Sequence, residues 1–290
     1  MPEQTVYLNG SLVPAATATV SIADPGFLHG ASVFTTMRAH KGVVFHFERH
    51  LERIAETVRL LGMKADATTG RLIEGMYQVL DANKLAEARC RITLTPGPPD
   101  GKPTTLITAE PLPDYPAEWY TKGIGVIVTA LKQAVGDPTF GYKTGCYLPR
   151  ILARQEAAAK GADDALWFTT DNRLAESCFS NVFLVRDGEL LTPPRDTPVL
   201  PGVVRDALLE LCPAIGIAAH DDKHLTIDDL LAADEIFLTS SCMGVRPVVR
   251  IEKHVVGDET PGEITKKIQA AYNDLLEKEC EHRQTIGSGQ

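Results

Sequence analysis

The feature of this sequence that most limits its fold is a proline-rich segment between two halves that each mix strand and helix patterns. Residues 110–119 contain three prolines. Proline fixes the backbone angle φ and has no N–H group, so this segment can form neither a helix interior nor a central strand. We therefore predict two domains: an N-terminal α/β domain at residues 1–119, which includes the start of the linker, and a C-terminal domain at residues 120–290.

The first half begins with short strand patterns and changes to helix patterns at Phe47. Asn9-Gly10 is a hairpin signal between two short apolar runs, and further strands are predicted at residues 31–38 and 43–47. The apolar spacing then changes from two residues to between three and four, which predicts a helix that stops at Gly62. Its apolar stripe consists of Phe47, Leu51, Ile54, Val58 and Leu61.

The second half alternates strands and helices in the same way. Helices are predicted after Lys143, after Gly202 and after Pro261. Strands are predicted at residues 125–131, 165–170, 181–186, 189–192 and 235–240. The fold class is therefore α/β, in the broad sense that includes α+β, with a β-rich C-terminal domain.

Composition excludes several partners. The formal net charge is -9, and no basic run could follow a phosphate backbone, so we expect no nucleic acid. No apolar segment approaches the length of a membrane span, and none of the six cysteines forms a CxxC pair. We expect a cytoplasmic protein with no membrane partner and no metal site.

Lys143 is the candidate for chemistry. The sequence contains no nucleophile elbow, P-loop, dinucleotide fingerprint or HExxH helix. Lys143 stands at an element boundary among glycines and aromatic residues, where a chain tends to direct a side chain into a cavity. A lysine kept neutral by burial is an amine nucleophile toward carbonyl groups. The alternative is a solvated loop lysine.

Four further features would complement such a lysine. Glu176 stands in a small-residue turn predicted between two strands and could pair with a cation, and Arg53 could bind an anion. The N–H groups of Val203 and Val204 open a predicted helix and would favour an anion there. Thr239, Ser240 and Ser241 end a predicted strand, and their hydroxyls could cap a helix or bind an anion. Each feature also has a plain structural alternative, but together they are what pyridoxal 5'-phosphate requires: an amine, a carboxylate for the ring nitrogen and donors for the phosphate.

Six motifs occur in the order found in the class IV aminotransferases, and the chain resembles this family of fold-type IV pyridoxal phosphate enzymes from about Tyr7 to about Leu276. The motifs are Gly30-Ala31-Ser32-Val33-Phe34, Phe47-Glu48-Arg49-His50-Leu51-Glu52-Arg53-Ile54, Lys143, Glu176-Ser177-Cys178-Phe179-Ser180-Asn181-Val182-Phe183, Leu200-Pro201-Gly202-Val203-Val204-Arg205 and Ser240-Ser241.

The resemblance implies an architecture and a set of roles. It implies a smaller N-terminal domain, a larger C-terminal domain and a cofactor at the domain interface. Lys143 corresponds to the Schiff-base lysine, Arg53 to the arginine that binds the cofactor phosphate and Glu176 to the partner of the pyridine nitrogen. Tyr147 stands where branched-chain enzymes have a tyrosine near the phenolic oxygen, with helix packing as the alternative. Family members are homodimers or larger, so we expect at least a homodimer.

Substrate residues are predicted around the first motif and the last. Phe34, Arg38, Arg89 and Arg91 are candidates on the N-terminal strands, where the arginines could hold a substrate carboxylate or be solvated at a strand edge. Cys242 and Met243 follow the Ser240-Ser241 turn and complete the set.

The resemblance implies transamination between an amino acid, branched-chain or hydrophobic, and a 2-oxo acid. The alternative is an aminodeoxychorismate lyase that releases pyruvate with the same cofactor, since Thr35 stands where branched-chain enzymes usually carry a glutamate. A D-amino acid transaminase ranks third. That branch has an arginine within Thr-Arg-Gly, and this chain has Thr95-Pro96-Gly97.

Overall fold

The structure, a computed structural model, describes the backbone of residues 4–287 and the side chains of residues 4–281. The chain falls into two compact units that do not follow a single cut. The first unit comprises Met1–Pro113, Lys143–Cys146 and Leu276–Gln290, and the second comprises Asp114–Tyr142 and Tyr147–Leu275. The first boundary lies within the proline-rich segment, but the short segment with Lys143 returns to the first unit.

The first unit is built on an antiparallel sheet. In its described residues the strands run in the order β2-β1-β6-β5-β3-β4, and each neighbouring pair is antiparallel. Their bounds are β1 Thr5–Leu8, β2 Ser11–Pro14, β3 Val33–His40, β4 Val43–Val44, β5 Ala88–Thr95 and β6 Thr104–Pro111. The predicted strand at residues 43–47 is shorter than expected, because His46 adopts a left-handed conformation (φ 47°) and a helix begins at the next residue.

Two long helices form the core of the first unit with this sheet. The helices are α1 Pro25–His29, α2 Phe47–Leu60 and α3 Thr69–Asn83, with a short 3-10 helix at Ala15–Thr17. The predicted apolar stripe is confirmed: Phe47, Leu51 and Ile54 are buried in a core that includes Met37 and Ile92 of the sheet. Burial of that stripe, at about 1.5–3 kcal/mol for each large apolar side chain, stabilises α2 against the strands.

The segment Lys143–Cys146 lies beside the start of β3. Thr144 forms an isolated antiparallel bridge with Val33. The Phe34 N–H donates to the Lys143 carbonyl at 2.9 Å, and the Gly145 N–H donates to the Ser32 carbonyl at 2.8 Å. A β-carbon on Gly145 would come within 2.8 Å of the backbone carbonyl oxygen of Gly30, so glycine suits this close approach. These bonds fix the backbone of Lys143.

The second unit contains a mixed sheet that closes on itself. Its strands are β7 Ile124–Gln133, β8 Asp164–Thr169, β9 Leu174–Ser177, β10 Asn181–Arg186, β11 Glu189–Leu191, β12 Ala219–His220, β13 Glu235–Ser240, β14 Gly244–Ile251 and β15 His254–Val255. The order is β12-β11-β10-β13-β14-β7-β8-β9, and β15 pairs with β14. Because β9 pairs with both β8 and β10, six of these strands form a ring.

Five helices accompany this sheet: α4 Glu118–Thr121, α5 Leu148–Ala159, α6 Val203–Ala214, α7 Ile227–Leu231 and α8 Glu263–Gly287, whose end belongs to the first unit. The strands predicted at 181–186 and 235–240 are confirmed with the same bounds.

Glu176 was expected in a turn between strands, and this was wrong: it lies inside β9, whose four residues are all buried, and the turn follows at residues 178–180. No helix in the described part of the chain has both the length and the apolar composition to cross a membrane.

Candidate functional site

The first unit gathers the predicted lysine, phenylalanine and two arginines around the start of β3; we call Phe34, Thr35, His50, Arg53, Arg91 and Lys143 the lysine cluster. Lys143 is half-buried, and its Nζ atom lies 4.9 Å from the centroid of the buried Phe34 ring. The guanidinium carbon of Arg91 lies 3.6 Å from the same centroid. A cation over an aromatic face is attracted by the ring quadrupole. Phe34 therefore lies in contact distance of both cations.

Arg53 lies on α2 beside two polar groups. Its Nη2 donates to the Thr35 hydroxyl at 3.0 Å and lies 3.3 Å from the Nδ1 of His50. The Thr35 hydroxyl also lies 2.9 Å from that Nδ1 atom. Thr35 therefore accepts from Arg53 and donates to His50, which requires an unprotonated Nδ1. These contacts fix the direction of the Arg53 side chain.

His50 is held neutral at this position. The ring is fully buried, and burial, followed by the positive charges of Arg53, His46 and Lys143, places the pKa of His50 well below the ordinary value of 6.5. His50 was not among the predicted site residues. The sequence could have indicated it, because His50 and Arg53 are three residues apart and therefore face the same side of α2.

The other predicted arginines of the first unit lie further along the strands. Arg38 and Arg89 are directly opposite each other on β3 and β5. Arg38 pairs with Glu87 at 3.5 Å, and Arg89 pairs with Glu110 at 2.6 Å. Arg91, two residues closer to the Phe34 end of the strand, is the arginine that the structure brings to the lysine cluster. The substrate roles of all three stay predictions.

The second unit builds a different set around Glu176, which we call the carboxylate cluster: Gln133, Arg150, Glu176, Asn181, Leu200, Gly202 and Thr239. Glu176 is 3 % exposed. Its Oε1 accepts from the Arg150 Nη2 at 2.5 Å and from the Gln133 Nε2 at 3.0 Å, and its Oε2 accepts from the Leu200 N–H at 3.1 Å. A buried carboxylate needs such donors, since burial without them is costly. They hold Glu176 in one orientation.

The start of α6 is fixed against the same strands. Leu200 donates its N–H to Glu176 and accepts from the Asn181 amide at 2.9 Å. Gly202 is the N-cap residue, and a β-carbon there would lie 1.9 Å from the Asn181 Oδ1. Glycine thus allows the helix to begin directly over this strand. Val203 and Val204 form the first turn, and no side-chain cap to their N–H groups is seen among the described residues.

Thr239 adds an open hydroxyl to this face. Asn181 is directly opposite both Glu176 and Thr239, so the three side chains share one face of the sheet. The Thr239 Oγ1 is buried and has no hydrogen-bond partner within the described residues. A buried polar atom without a partner needs an explanation, and a polar ligand bound at this face of the sheet is one that fits. Gln133 and Arg150 were not predicted, since nothing local to these two residues marks them. Asn181 stands in one of the six motifs but was given no role of its own.

The remaining predicted residues lie near the β13–β14 turn and at the start of α5. The Ser240 Oγ accepts from the Met243 N–H at 3.3 Å, Ser241 belongs to the same turn and Cys242 is buried. The Met243 carbonyl accepts from the Tyr120 hydroxyl at 3.0 Å. Tyr147 is the N-cap residue of α5, and its ring stacks on Phe179 with 5.8 Å between centroids.

These groups fit pyridoxal phosphate in chemical terms. The carboxylate cluster offers an anionic acceptor for a protonated ring nitrogen, and the first turn of α6 and the Thr239 hydroxyl offer donors to a phosphate. The lysine cluster offers an amine and the Arg53 guanidinium.

The sequence of this chain also matches a family of known proteins. Residues 32–251 match the family described as amino-transferase class IV. The chain belongs to the class IV aminotransferases. It is therefore an enzyme of a pyridoxal phosphate-dependent transaminating family, and the predicted cofactor, family and two-domain fold-type IV architecture are confirmed.

Three relatives of this class IV aminotransferase illustrate the range of the family. A putative branched-chain-amino-acid aminotransferase of Methanocaldococcus jannaschii is 33% identical over 281 residues, which cover 94% of this chain and 96% of the relative. An aminodeoxychorismate lyase of Bacillus subtilis is 27% identical over 92% of this chain and 93% of its own. A crystal structure of the Escherichia coli branched-chain amino acid aminotransferase has a TM-score of 0.89 and 28% identity, covering 94% of this chain and 95% of the other.

Proposed function

We propose that this class IV aminotransferase transfers the amino group between a branched-chain or other hydrophobic amino acid and a 2-oxo acid. The observation that carries the proposal is the position of Lys143, whose Nζ lies 4.9 Å from the centroid of the Phe34 ring. An amine over an aromatic face lies beside an apolar surface, which suits a hydrophobic side chain. The relative from Methanocaldococcus jannaschii is described as a putative branched-chain-amino-acid aminotransferase.

The proposed roles follow the donor set of each unit. Pyridoxal phosphate, when bound, supplies an aldehyde that bonds an amine and a ring that withdraws electrons. Lys143 Nζ would hold the aldehyde carbon and, once released from it, would accept and return the proton of the substrate Cα. Glu176 would accept the ring N–H. Arg53, the N–H groups of Val203 and Val204, and the hydroxyls of Ser240 and Ser241 would hold the phosphate, with Tyr147 toward the phenolic oxygen.

The proposed substrate contacts are Phe34, Arg38, Arg89, Arg91, Cys242 and Met243. Among them Arg91 has the strongest support, because its guanidinium carbon lies 3.6 Å from the centroid of Phe34 and so shares that ring with Lys143. Arg38 and Arg89 have weaker support because each pairs with a carboxylate, Glu87 or Glu110. Removal of Arg91 is therefore expected to raise KM for the amino donor more than removal of Arg89.

A screen of amino donors against 2-oxoglutarate tests the proposal. The purified enzyme is incubated with L-leucine, L-valine, L-isoleucine, L-alanine or D-alanine, and glutamate formation is measured. We expect the branched-chain L-amino acids to give the largest kcat/KM. Preference for D-alanine, or no transfer from any hydrophobic donor, would contradict the proposal. The Lys143→Ala variant is expected to lose the borohydride-reducible link to the cofactor, and a retained link would mean that another lysine bonds the cofactor.

The second candidate is a lyase that releases pyruvate from aminodeoxychorismate. It is supported by Thr35, which takes the place of the usual glutamate and contacts both Arg53 and His50, and by the similarity to the Bacillus subtilis lyase. Pyruvate release from aminodeoxychorismate in the absence of any amino acceptor would support the lyase. A donor that converts the bound cofactor to its amine form in a single turnover would support transamination.

We also propose a homodimer or larger assembly in the cytoplasm. Leu148, Ile151 and Leu152 are exposed together on α5, and such a stripe favours burial against another protein surface. The six cysteines are all free thiols, which fits a reducing compartment. Light scattering across a dilution series is expected to show twice the chain mass or more, and an Ile151→Glu variant is expected to shift the equilibrium toward the monomer.

A further inference from the structure

Arg150 is the charged residue of the carboxylate cluster for which the proposed function supplies no role. It lies in the first turn of α5, and its guanidinium contacts three acceptors of β9 and the turn after it. Nη2 donates to the Glu176 Oε1 at 2.5 Å, and Nη1 donates to the carbonyls of Ser177 and Cys178 at 3.0 and 3.1 Å. The side chain is 14% exposed and that of Glu176 is 4% exposed. The two form a largely buried ion pair.

Arg150 carries a full positive charge in this pair. Burial on its own would lower the pKa of Arg150, but the negative charge of Glu176 and its hydrogen bond outweigh burial and raise the pKa. An ion pair of this kind is a weak source of stability, since the cost of desolvating two charges is close to the attraction between them. Stability alone therefore does not explain why a cation binds Glu176, the proposed acceptor of the cofactor's ring N–H. A role toward the cofactor would explain it.

The geometry of Glu176 separates its two oxygens. An ionised carboxylate oxygen offers about two lone-pair directions. Oε1 already accepts from Arg150 and Gln133, whereas Oε2 accepts from the Leu200 N–H and, within the described residues, from no second donor. Oε2 is thus the oxygen with room for another N–H group.

We propose that Arg150 acts on pyridoxal phosphate through Glu176: the ring N–H of the cofactor binds Oε2, while Arg150 on Oε1 shares the negative charge and limits how tightly the ring is held. This rests on the proposed roles of Glu176 and the cofactor. Arg150 is a positioning residue in this scheme and contacts neither ring nor substrate. Gln133 and the Leu200 N–H hold the carboxylate in place even without it.

Loss of the guanidinium charge has opposite effects on the two forms of the enzyme. Without cofactor, Glu176 becomes a buried carboxylate without a counter-ion, and the fold loses stability. With cofactor, the protonated ring becomes the counter-ion of Glu176, and the repulsion between two cations is gone. The free energy of cofactor binding is then more favourable in a variant without the guanidinium charge than in the native enzyme.

The experiment compares native enzyme with Arg150→Met. Pyridoxal phosphate is removed, its dissociation constant is measured from the absorbance of the bound form, and the melting temperature is measured with and without it. We expect Arg150→Met to bind pyridoxal phosphate about tenfold more tightly, the effect of roughly one pKa unit of charge interaction. Its cofactor-free form is expected to melt lower than native, and the loaded form to recover most of that loss.

Three variants complete the test. Arg154→Met makes the same change one turn along α5, where the side chain is 33% exposed and 3.9 Å from Asp164, and is expected to leave cofactor affinity unchanged. Arg150→Lys keeps the charge and is expected to retain near-native affinity. In a Glu176→Gln background, Arg150→Met is expected to have no effect on affinity, because the effect acts through the carboxylate.

The outcomes are distinguishable. Weaker or unchanged binding by Arg150→Met, with equal loss of melting temperature in loaded and cofactor-free forms, would overturn the inference and leave Arg150 as a tie between α5 and the β9 turn. An effect that persists in the Glu176→Gln background would overturn it too. If native enzyme fails to take up pyridoxal phosphate, the proposed function fails and the inference with it.

Discussion

The two units bury charged side chains against different kinds of partner. In the second unit, Glu176 faces Arg150, and Asp164 pairs with Arg246 at 2.8 Å with both side chains almost fully buried. In the first unit, the buried Asp24 accepts hydrogen bonds from two threonine hydroxyls and a backbone N–H, and Arg53 contacts Thr35 and His50. Removal of the charged residue named first in each pair therefore leaves an unpaired charge in the second unit and unpaired neutral groups in the first.

Glu176→Ala is expected to show the largest effect. It leaves the guanidinium of Arg150 buried without its carboxylate, which costs about 3–5 kcal/mol in the free energy of unfolding. Urea unfolding of the cofactor-free protein measures it. Glu176→Gln keeps the volume and an acceptor, so its loss is expected to be smaller. A loss below about 1 kcal/mol for Glu176→Ala would mean that the ion pair is solvated, and the contrast between the units would not hold.

Asp24→Ala tests the first unit, because it removes a buried carboxylate whose hydrogen-bond partners are all neutral. Burial on its own would raise the pKa of Asp24, but hydrogen bonds from Thr95, Gly26 and Thr104 together lower it. Its loss leaves those donors unpaired, and Thr95 and Thr104 are largely buried, so we expect about 2–3 kcal/mol of destabilisation. Asp24→Asn is the matched control, since it keeps an acceptor for the hydroxyls.

Unfolding curves for Asp24→Ala and Glu176→Ala should be measured under the same conditions. The contrast predicts that Asp24→Ala costs less than Glu176→Ala. The reverse order would show that unpaired neutral donors cost as much as an unpaired cation in this protein.

Thr35→Val is expected to have a smaller effect. Thr35 is fully buried and uses its hydroxyl with Arg53 and His50, while valine fills nearly the same space. Loss of these bonds is expected to cost about 1 kcal/mol. Because Arg53 loses one of the contacts that direct it, affinity for pyridoxal phosphate is expected to fall several-fold as well. Thr36→Val, at the next position of β3, is the control. Equal cofactor affinity in Thr35→Val and native enzyme would show that Thr35 does not orient Arg53.

The fold was largely predictable where the signal is local. The stripe of Phe47, Leu51 and Ile54 predicted α2 because helical periodicity depends only on neighbouring residues. β14 was not predicted, since Pro247 removes a donor that a central strand normally uses. In the structure Pro247 nonetheless lies opposite Phe237 within the ring of strands.

The candidate site was predictable only in part, because only some of its residues stand in local sequence motifs. Lys143 and Glu176 stand in motifs, but the partners of Glu176 lie 26 and 43 residues away in sequence. The closed ring brings Gln133 of β7 to Glu176, and the packing of α5 on the sheet brings Arg150, and no local pattern predicts either contact. Arg38 and Arg89 were selected by residue type, whereas strand register gives each a nearby carboxylate.

The smallest expected effect is a pH dependence of the free energy of unfolding that comes from His50. It tests whether this buried group of the first unit stays neutral, as the comparison of the two units assumes. The folded protein keeps the pKa of His50 well below 6.5, whereas the unfolded chain has the ordinary value. Between these two values the unfolded chain binds a proton that the folded protein does not, so stability is present above pH 6.5 and falls as the pH falls. The expected loss between pH 7 and pH 6 is about 0.7 kcal/mol for one histidine. The measured quantity is the difference between native protein and His50→Gln in urea unfolding at the two pH values, which isolates the contribution of His50. A native protein that loses no more stability than His50→Gln would show that the His50 ring accepts a proton in the fold, and the Thr35 hydroxyl could then no longer donate to its Nδ1.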